Sequence, residues 1–187
     1  MYSPNLDMPP KSKVRKCGAD VTKHLVKLMK EACKNLHTNM LWIGLYCQVL
    51  RPGGMWDWKQ EHRKPHEWSC EVECPDTLAL CGICFDDSVP ANMLLGYVLA
   101  EFGMSRKEIR RLITMLVSPK EWPEHDRAAF DVGMFLSSRL LNNLGDWTGP
   151  TGTDAVDTIC KMVEAFQSSL QAPINKECAS APPCAFF

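Results

Sequence analysis

Hydrophobic residues recur at intervals of three and four positions along much of the chain, which is the spacing of one face of an α-helix. The first such segment runs from Asp20 to Leu36, and the Asp20 side chain is placed to cap its start. Lysines occupy positions 23, 27, 30 and 34 of this segment. We expect this lysine face to be solvated and the opposite, apolar face to be buried.

Four further helices follow from the same periodicity. The sequence NMLLGYVLAEFG predicts a buried helix that ends at Gly103. Ser105 and Glu108 then form the pattern of a capping box at the start of the next helix. Residues 118–145 predict a long helix that begins after prolines and stops at a glycine. A last helix is expected over residues 153–170.

Together these segments predict a mostly α fold, a single compact helical domain with a small β-hairpin around residues 78–85. The apolar segment 39–50 fits a buried helix or a strand equally well. Residues 1–16 and 172–187 are rich in proline, serine or lysine, and we expect flexible tails there. Residues 17–171 would then form the domain, which is long enough for a sizeable core.

The charge of the chain excludes a strong overall attraction to polyanions. Its 21 Lys and Arg against 22 Asp and Glu give a net charge of -1, so binding of nucleic acid would need a local patch. No apolar run reaches the roughly 18 residues of a membrane span, and we expect no membrane contact. The first residues lack the apolar segment of a secretory signal, which favours a cytoplasmic protein or a processed or partial chain.

The cysteines favour a different compartment. Ten cysteines in 187 residues exceed ordinary cytosolic usage and are typical of secreted, disulfide-bonded proteins. We expect disulfides first and free thiols second, with a connectivity that the sequence leaves open. A zinc site is a weaker alternative, because the spacing does not match the common zinc modules. Its ligands would be Cys70, Cys74, Cys81 and Cys84.

No strong catalytic motif is present, which leaves three weaker groups of residues. The first is the stretch RPGGMWDWKQ, residues 51–60, where the glycines require a turn. In extended backbone Asp57 and Lys59 would point to the same side. They could face a substrate, or they could form a surface ion pair on a structural turn.

The other two groups lie at predicted helices. Glu124, His125 and Asp126 fall in the first turn of a helix, where carboxylates are favoured by the helix dipole. Such acids are often caps, yet a histidine beside carboxylates also suits proton transfer near neutral pH. Asn92 lies inside an apolar helix, where a buried amide needs partners. A structural hydrogen bond and a substrate contact are both consistent with this position.

Taken together, these segments resemble the polymorphic toxin type 44 domain of bacterial secreted toxins, over roughly residues 20–142. The similar segments are PGGMWDWK, PANMLLGYVLAEFG and PEHDRAAFDVG, in that order. The chain differs from the family pattern at Val89, where the family has an acid, and at Leu95, where it has a tyrosine. The matching residues are Trp56, Asp57, Lys59, Asn92, Gly96, Gly103, Asp126 and Gly133.

The resemblance implies a toxin module with ribonuclease activity that a partner immunity protein neutralises. A metal-independent ribonuclease requires a base, an acid and a cation, and needs no cofactor. His125 and Glu124 are the candidates for base and acid, and Lys59 for the cation that contacts the phosphate. Asp57 would orient the phosphate group. The full candidate site is Asp57, Lys59, Asn92, Glu124, His125 and Asp126.

Two alternatives belong to other functional classes. A hydrolase of bacterial cell-wall peptidoglycan would use paired carboxylates, drawn from Glu101, Glu124 and Asp126. A secreted, disulfide-bonded binding module would have kept the fold and lost the chemistry. The distance between the carboxylates would help to separate these alternatives, since glycosidases hold their two acids about 5–9.5 Å apart.

Overall fold

Helices form where the apolar spacing predicts them. The computed structural model describes residues 17–36, 74, 76–116, 122–144, 153–171, 178 and 181–184. This part of the chain is mostly helical, which confirms the predicted fold class. The helices are α1 Thr22–Leu36, α2 Ser88–Glu101, α3 Arg106–Leu116, α4 Glu124–Leu144, α5 Thr153–Ala165 and α6 Gln167–Leu170. The strands are β1 Cys17–Ala19, β2 Thr77–Leu80, β3 Ile83–Asp86 and β4 Pro183–Cys184.

Two of the predicted helix starts are capped as expected. The Asp20 carboxylate accepts a hydrogen bond from the backbone N–H of Thr22, 2.9 Å away, at the start of α1. The backbone N–H and the hydroxyl of Ser105 both donate to Glu108 Oε2, at 2.8 and 2.6 Å. These hydrogen bonds lower the pKa of the Glu108 carboxyl below its ordinary value. The capping box predicted for α3 is therefore confirmed.

The predicted hairpin is formed by β2 and β3, which pair in antiparallel register with Leu80 opposite Ile83. The two residues between them, Cys81 and Gly82, both have positive φ values, 56° and 74°. Positive φ at both positions is the geometry of a tight two-residue hairpin turn. The turn is attached to the start of α1, because the Gly82 N–H donates to Asp20 Oδ2 at 2.8 Å.

Three disulfides join the hairpin region to distant parts of the chain. Cys84 on β3 is bonded to Cys17 on β1. Cys81 in the turn is bonded to Cys160 on α5, and Cys74, just before β2, is bonded to Cys178. The expectation of disulfides is confirmed for these six cysteines. The zinc alternative is wrong for Cys74, Cys81 and Cys84, because each belongs to a different disulfide; Cys70 lies outside the described residues.

The described residues near the C-terminus belong to the domain. Strand β4 pairs in parallel with β1, and the Cys17 N–H donates to the carbonyl of Pro182 at 3.0 Å. Cys178 is held by its bond to Cys74. The expectation of a flexible tail over 172–187 is therefore wrong for these residues. Residues 1–16, the other expected tail, lie outside the described residues.

The main core lies between the hairpin and helices α1, α2, α4 and α5. Its largest fully buried side chains include Phe85 and Tyr97. A second, smaller cluster attaches α3, where Ile109 packs with Leu99 and Phe130. Trp122 closes this cluster, with its ring 5.5 Å from the Phe130 ring in an edge-to-face arrangement. Where side-chain burial is described, apolar residues at the helical spacing, such as Leu25, Ile109 and Ile159, are buried.

Helices α2 and α4 run parallel to each other and touch through two glycines. A methyl group added to Gly96 would overlap the carbonyl oxygen of Phe130, and one added to Gly133 would overlap that of Met93. Only glycine lets the two backbones approach this closely. Hydrogen bonds between side chains join the helices near both ends, from Ser88 to Asp126 and from Ser137 to Glu101.

Gly96→Ala and Gly133→Ala should each destabilise the protein by about 3 kcal/mol, because the added methyl groups meet backbone atoms that cannot move aside alone. Urea unfolding with the disulfides intact measures this loss. Gly103→Ala is the matched control: its φ of 72° disfavours alanine, but nothing lies within 4 Å of the added methyl group. We expect it to cost about 1 kcal/mol. Equal losses of unfolding free energy at all three positions would contradict the inference that the close backbone contact between α2 and α4 requires glycine.

Candidate acid–base site

The N-terminal ends of α2 and α4 bring a hydroxyl, a carboxylate and an imidazole together. The Ser88 hydroxyl donates to Asp126 Oδ1 at 2.5 Å. His125 Nε2 lies 3.5 Å from the same oxygen. The side chains of His125 and Asp126 are 12% and 13% exposed, so the pair is shielded from bulk water but still reachable. His125 and Asp126 are candidates from the sequence, and the structure adds Ser88.

Ser88 is not among the residues predicted from the sequence, because its hydrogen-bond partner is 38 residues away. The only local signal is its place between two aspartates and a proline at the start of a buried helix. Its backbone is fixed by Asp86, whose Oδ1 accepts the Ser88 N–H at 3.0 Å. The serine is therefore held at its backbone by one carboxylate and bound through its hydroxyl to another.

Asn92 lies one turn further along α2. Its side-chain Nδ2 donates to the backbone carbonyl of Ser88 at 3.0 Å. This bond is the structural hydrogen bond that the sequence leaves open beside a substrate contact. Asn92 and Asp126 thus contact the same serine, one at its carbonyl and the other at its hydroxyl.

The start of α4 is favourable for negative charge. Glu124 and Asp126 both lie in its first turn, where the partial positive charge of the helix terminus stabilises carboxylates. Asp126 points toward α2, whereas Glu124 is exposed to solvent. An exposed carboxylate, an imidazole and a shielded carboxylate therefore follow one another along three consecutive residues.

Glu101 does not join this group. It lies at the other end of α2, where its Oε1 accepts a hydrogen bond from Ser137 at 2.8 Å. Thirteen residues separate Ser88 from Glu101, which corresponds to about 20 Å along the helix axis. Because glycosidases hold their two acids within about 10 Å, this separation argues against Glu101 and Asp126 as a pair.

The remaining members of the predicted site, Asp57 and Lys59, lie outside the described residues. Their contribution stays a prediction from the sequence. In the described ranges, no group of three or more His, Cys, Asp or Glu side chains is arranged to hold a metal ion. No described helix is both long enough and apolar enough to cross a membrane.

Comparison with known proteins adds no relative: no family model, curated protein or solved structure matches this chain. The resemblance to the type 44 toxin domain therefore rests on the quoted motifs alone.

Ser88→Ala and Asp126→Asn should each lower the free energy of unfolding by about 1–3 kcal/mol, because each removes one partner of a part-buried, charge-assisted hydrogen bond. The double variant should lose less than the sum of the single losses, with a coupling energy of about 1 kcal/mol or more. Urea unfolding of all four proteins at neutral pH gives this cycle. Strictly additive losses would show that the two side chains act independently.

Proposed function

We propose that this protein is a secreted, toxin-type ribonuclease whose acid–base centre is formed by Glu124, His125 and Asp126. The observation that carries the proposal is the contact of His125 with a carboxylate that Ser88 in turn holds in place. An imidazole oriented by a fixed carboxylate is a recurring arrangement for proton transfer in enzymes. It also requires no metal or cofactor.

The chemistry follows from the positions of the three side chains. The exposed Glu124 carboxylate takes the proton from a ribose 2′-hydroxyl, and the 2′-oxygen then attacks the adjacent phosphorus. The bond from phosphorus to the 5′-oxygen breaks, and protonated His125 donates its proton to that leaving oxygen. The products are a 2′,3′-cyclic phosphate and a free 5′-hydroxyl. Since Asp126 lies beside Nε2, the proton is exchanged through Nδ1.

Asp126 and Ser88 are positioning residues in this scheme. The Asp126 carboxylate orients the ring and stabilises its positive charge, and the Ser88 hydroxyl fixes the carboxylate. Lys59 supplies the cation for the phosphate and Asp57 helps to orient it, as the sequence analysis predicts. The reaction thus has a base, an acid and an electrostatic partner for the charge that develops.

The arrangement of the motif residues supports the resemblance on which the proposal partly depends. Gly96 and Gly133, which match two different motifs of the type 44 domain, meet at the crossing of α2 and α4. Asn92 and Asp126, from the same two motifs, both contact Ser88. Residues that are separated in sequence but grouped in the fold are what a shared active site would require.

The disulfides support the secreted part of the proposal. Three disulfides are typical of proteins that mature in an oxidising compartment and rare in cytosolic ones. A secreted ribonuclease endangers the cell that makes it. We therefore propose an immunity protein as its physiological partner.

The test is cleavage of total RNA by the oxidised protein, with purified peptidoglycan as a parallel substrate. We expect RNA fragments that end in cyclic phosphates. His125→Ala should lower the rate by about 10²- to 10⁴-fold, since it removes the general acid. Lys59→Ala should also reduce cleavage. His24→Ala is the matched control, because it removes a histidine from α1 instead.

Three results would contradict the proposal. Release of glycan fragments with RNA left intact would assign the protein to the peptidoglycan hydrolases. No reaction with either polymer would favour a binding module that has lost its chemistry. Equal cleavage of RNA by the wild type and by His125→Ala would move the active site away from α4.

A further inference from the structure

In the described part of the chain, two large apolar side chains are exposed, and both are phenylalanines. Phe135 on α4 is 42% exposed, and Phe166, between α5 and α6, is 43% exposed. Both line the same pocket, which has a volume of about 480 Å³. This volume is within the range of small-ligand sites. Exposed rings that share one concave surface indicate a binding site rather than scattered surface residues.

The lining of the pocket also carries charge. Arg106, at the start of α3, lines the pocket and binds Asp131 of α4 at 2.5 Å. Arg110 follows Arg106 by one helical turn and therefore lies on the same side of α3. Lys107 and Arg111 are also exposed on this helix. Two cations of α3, Arg106 and Arg110, thus lie on the side of the helix that borders the pocket, in a chain whose net charge is only -1.

The pocket also lies on the same side of α4 as Glu124, the proposed base. Ala128 and Asp131, which line the pocket, follow Glu124 by four and seven residues. Residues with this spacing lie on one side of a helix. The first of them is only one turn away from Glu124, so an elongated ligand in the pocket could extend to this exposed carboxylate.

We propose that this pocket binds single-stranded RNA, with bases stacked on Phe135 and Phe166 and phosphates on the cations of α3. Aromatic rings beside a cationic surface are the features by which proteins hold single strands without strong sequence preference. This inference rests on the proposed function and deepens it, because it assigns the substrate class. A duplex, whose base faces are already stacked, would bind less well.

Asp131 favours RNA over an acidic protein as the ligand. Its carboxylate repels any anion beside it, whether a phosphate or an acidic side chain, so the ligand group that contacts Asp131 must be neutral and able to donate a hydrogen bond. A nucleobase instead offers that carboxylate an amino group, as cytosine does to acidic side chains in nucleic-acid complexes. Arg106 has five N–H donors, so it can hold Asp131 and still contact a phosphate.

Binding can be measured separately from cleavage with a labelled single-stranded 2′-O-methyl RNA of about 12 nucleotides, a length within the known site sizes. This probe lacks the free 2′-hydroxyl, so the wild-type protein cannot cut it by the proposed route. Phe166→Leu should weaken binding about 5- to 150-fold, because it keeps an apolar side chain but removes the stacking ring. Phe166→Tyr should retain wild-type affinity, and Phe135→Leu should act like Phe166→Leu.

The contribution of charge is tested by salt titration. Arg110→Gln should reduce the slope of log affinity against log salt by about 0.7, the value for one contact to a single strand. Lys27→Gln is the matched control, since Lys27 is a well-exposed cation on α1, outside the residues that line the pocket. It should leave the slope unchanged. Circular dichroism and urea unfolding check that each variant is folded.

The possible results separate this inference from the proposed function. Binding that depends on Phe135 and Phe166, without cleavage of ordinary RNA, would support the pocket and overturn the ribonuclease. Cleavage with an unchanged KM in both Phe→Leu variants would overturn the pocket alone. Equal binding of a matched duplex would also overturn it. Binding of a phenylalanine-containing polyglutamate peptide through these residues, with RNA left unbound, would assign the surface to an acidic protein.

Discussion

The backbone contact between α2 and α4 is the constraint on which the rest of the domain depends. Because Gly96 and Gly133 have no side chains, the helices approach until each backbone touches the other. Both helices start on the same side of the crossing, so their first turns meet. The hydrogen bond from Ser88 to Asp126 forms there. The position of His125 in the first turn of α4 therefore depends on the glycine contact, which lies further along the same two helices.

The disulfides perform a different task, because they connect short strands covalently to distant parts of the chain. The hairpin has only four residues in each strand, and β1 and β4 are shorter still. Three covalent bonds connect the hairpin region to β1, α5 and Cys178. Each closes a loop of at least 67 residues, for which chain-entropy arguments give about 4 kcal/mol of stabilisation. The helices and the hairpin share the packed core, and the disulfides fix the hairpin region covalently to β1, α5 and Cys178.

The sequence predicts what depends on local spacing. Helical periodicity, the Ser105 capping box and the turn between β2 and β3 involve residues a few positions apart, and the structure confirms them. The adjacency of Glu124, His125 and Asp126 is also local. The partner of Asp126 is not, because Ser88 lies in another helix. Glu101 is grouped with Glu124 and Asp126 in the sequence-based prediction because a sequence shows the type of each side chain but not the distance between helices. In the structure Glu101 lies at the other end of α2. The attachment of Cys178 depends on a disulfide connectivity that spacing alone leaves open.

The parallel pairing of β1 with β4 affects how this domain can be joined to other protein domains. Cys17 and Pro183 are neighbours across the strands, so the described chain enters and leaves the domain at one place. A domain whose two ends touch can be inserted into a loop of a larger protein without pulling that loop apart. The two linkers of such an insertion would leave the domain side by side.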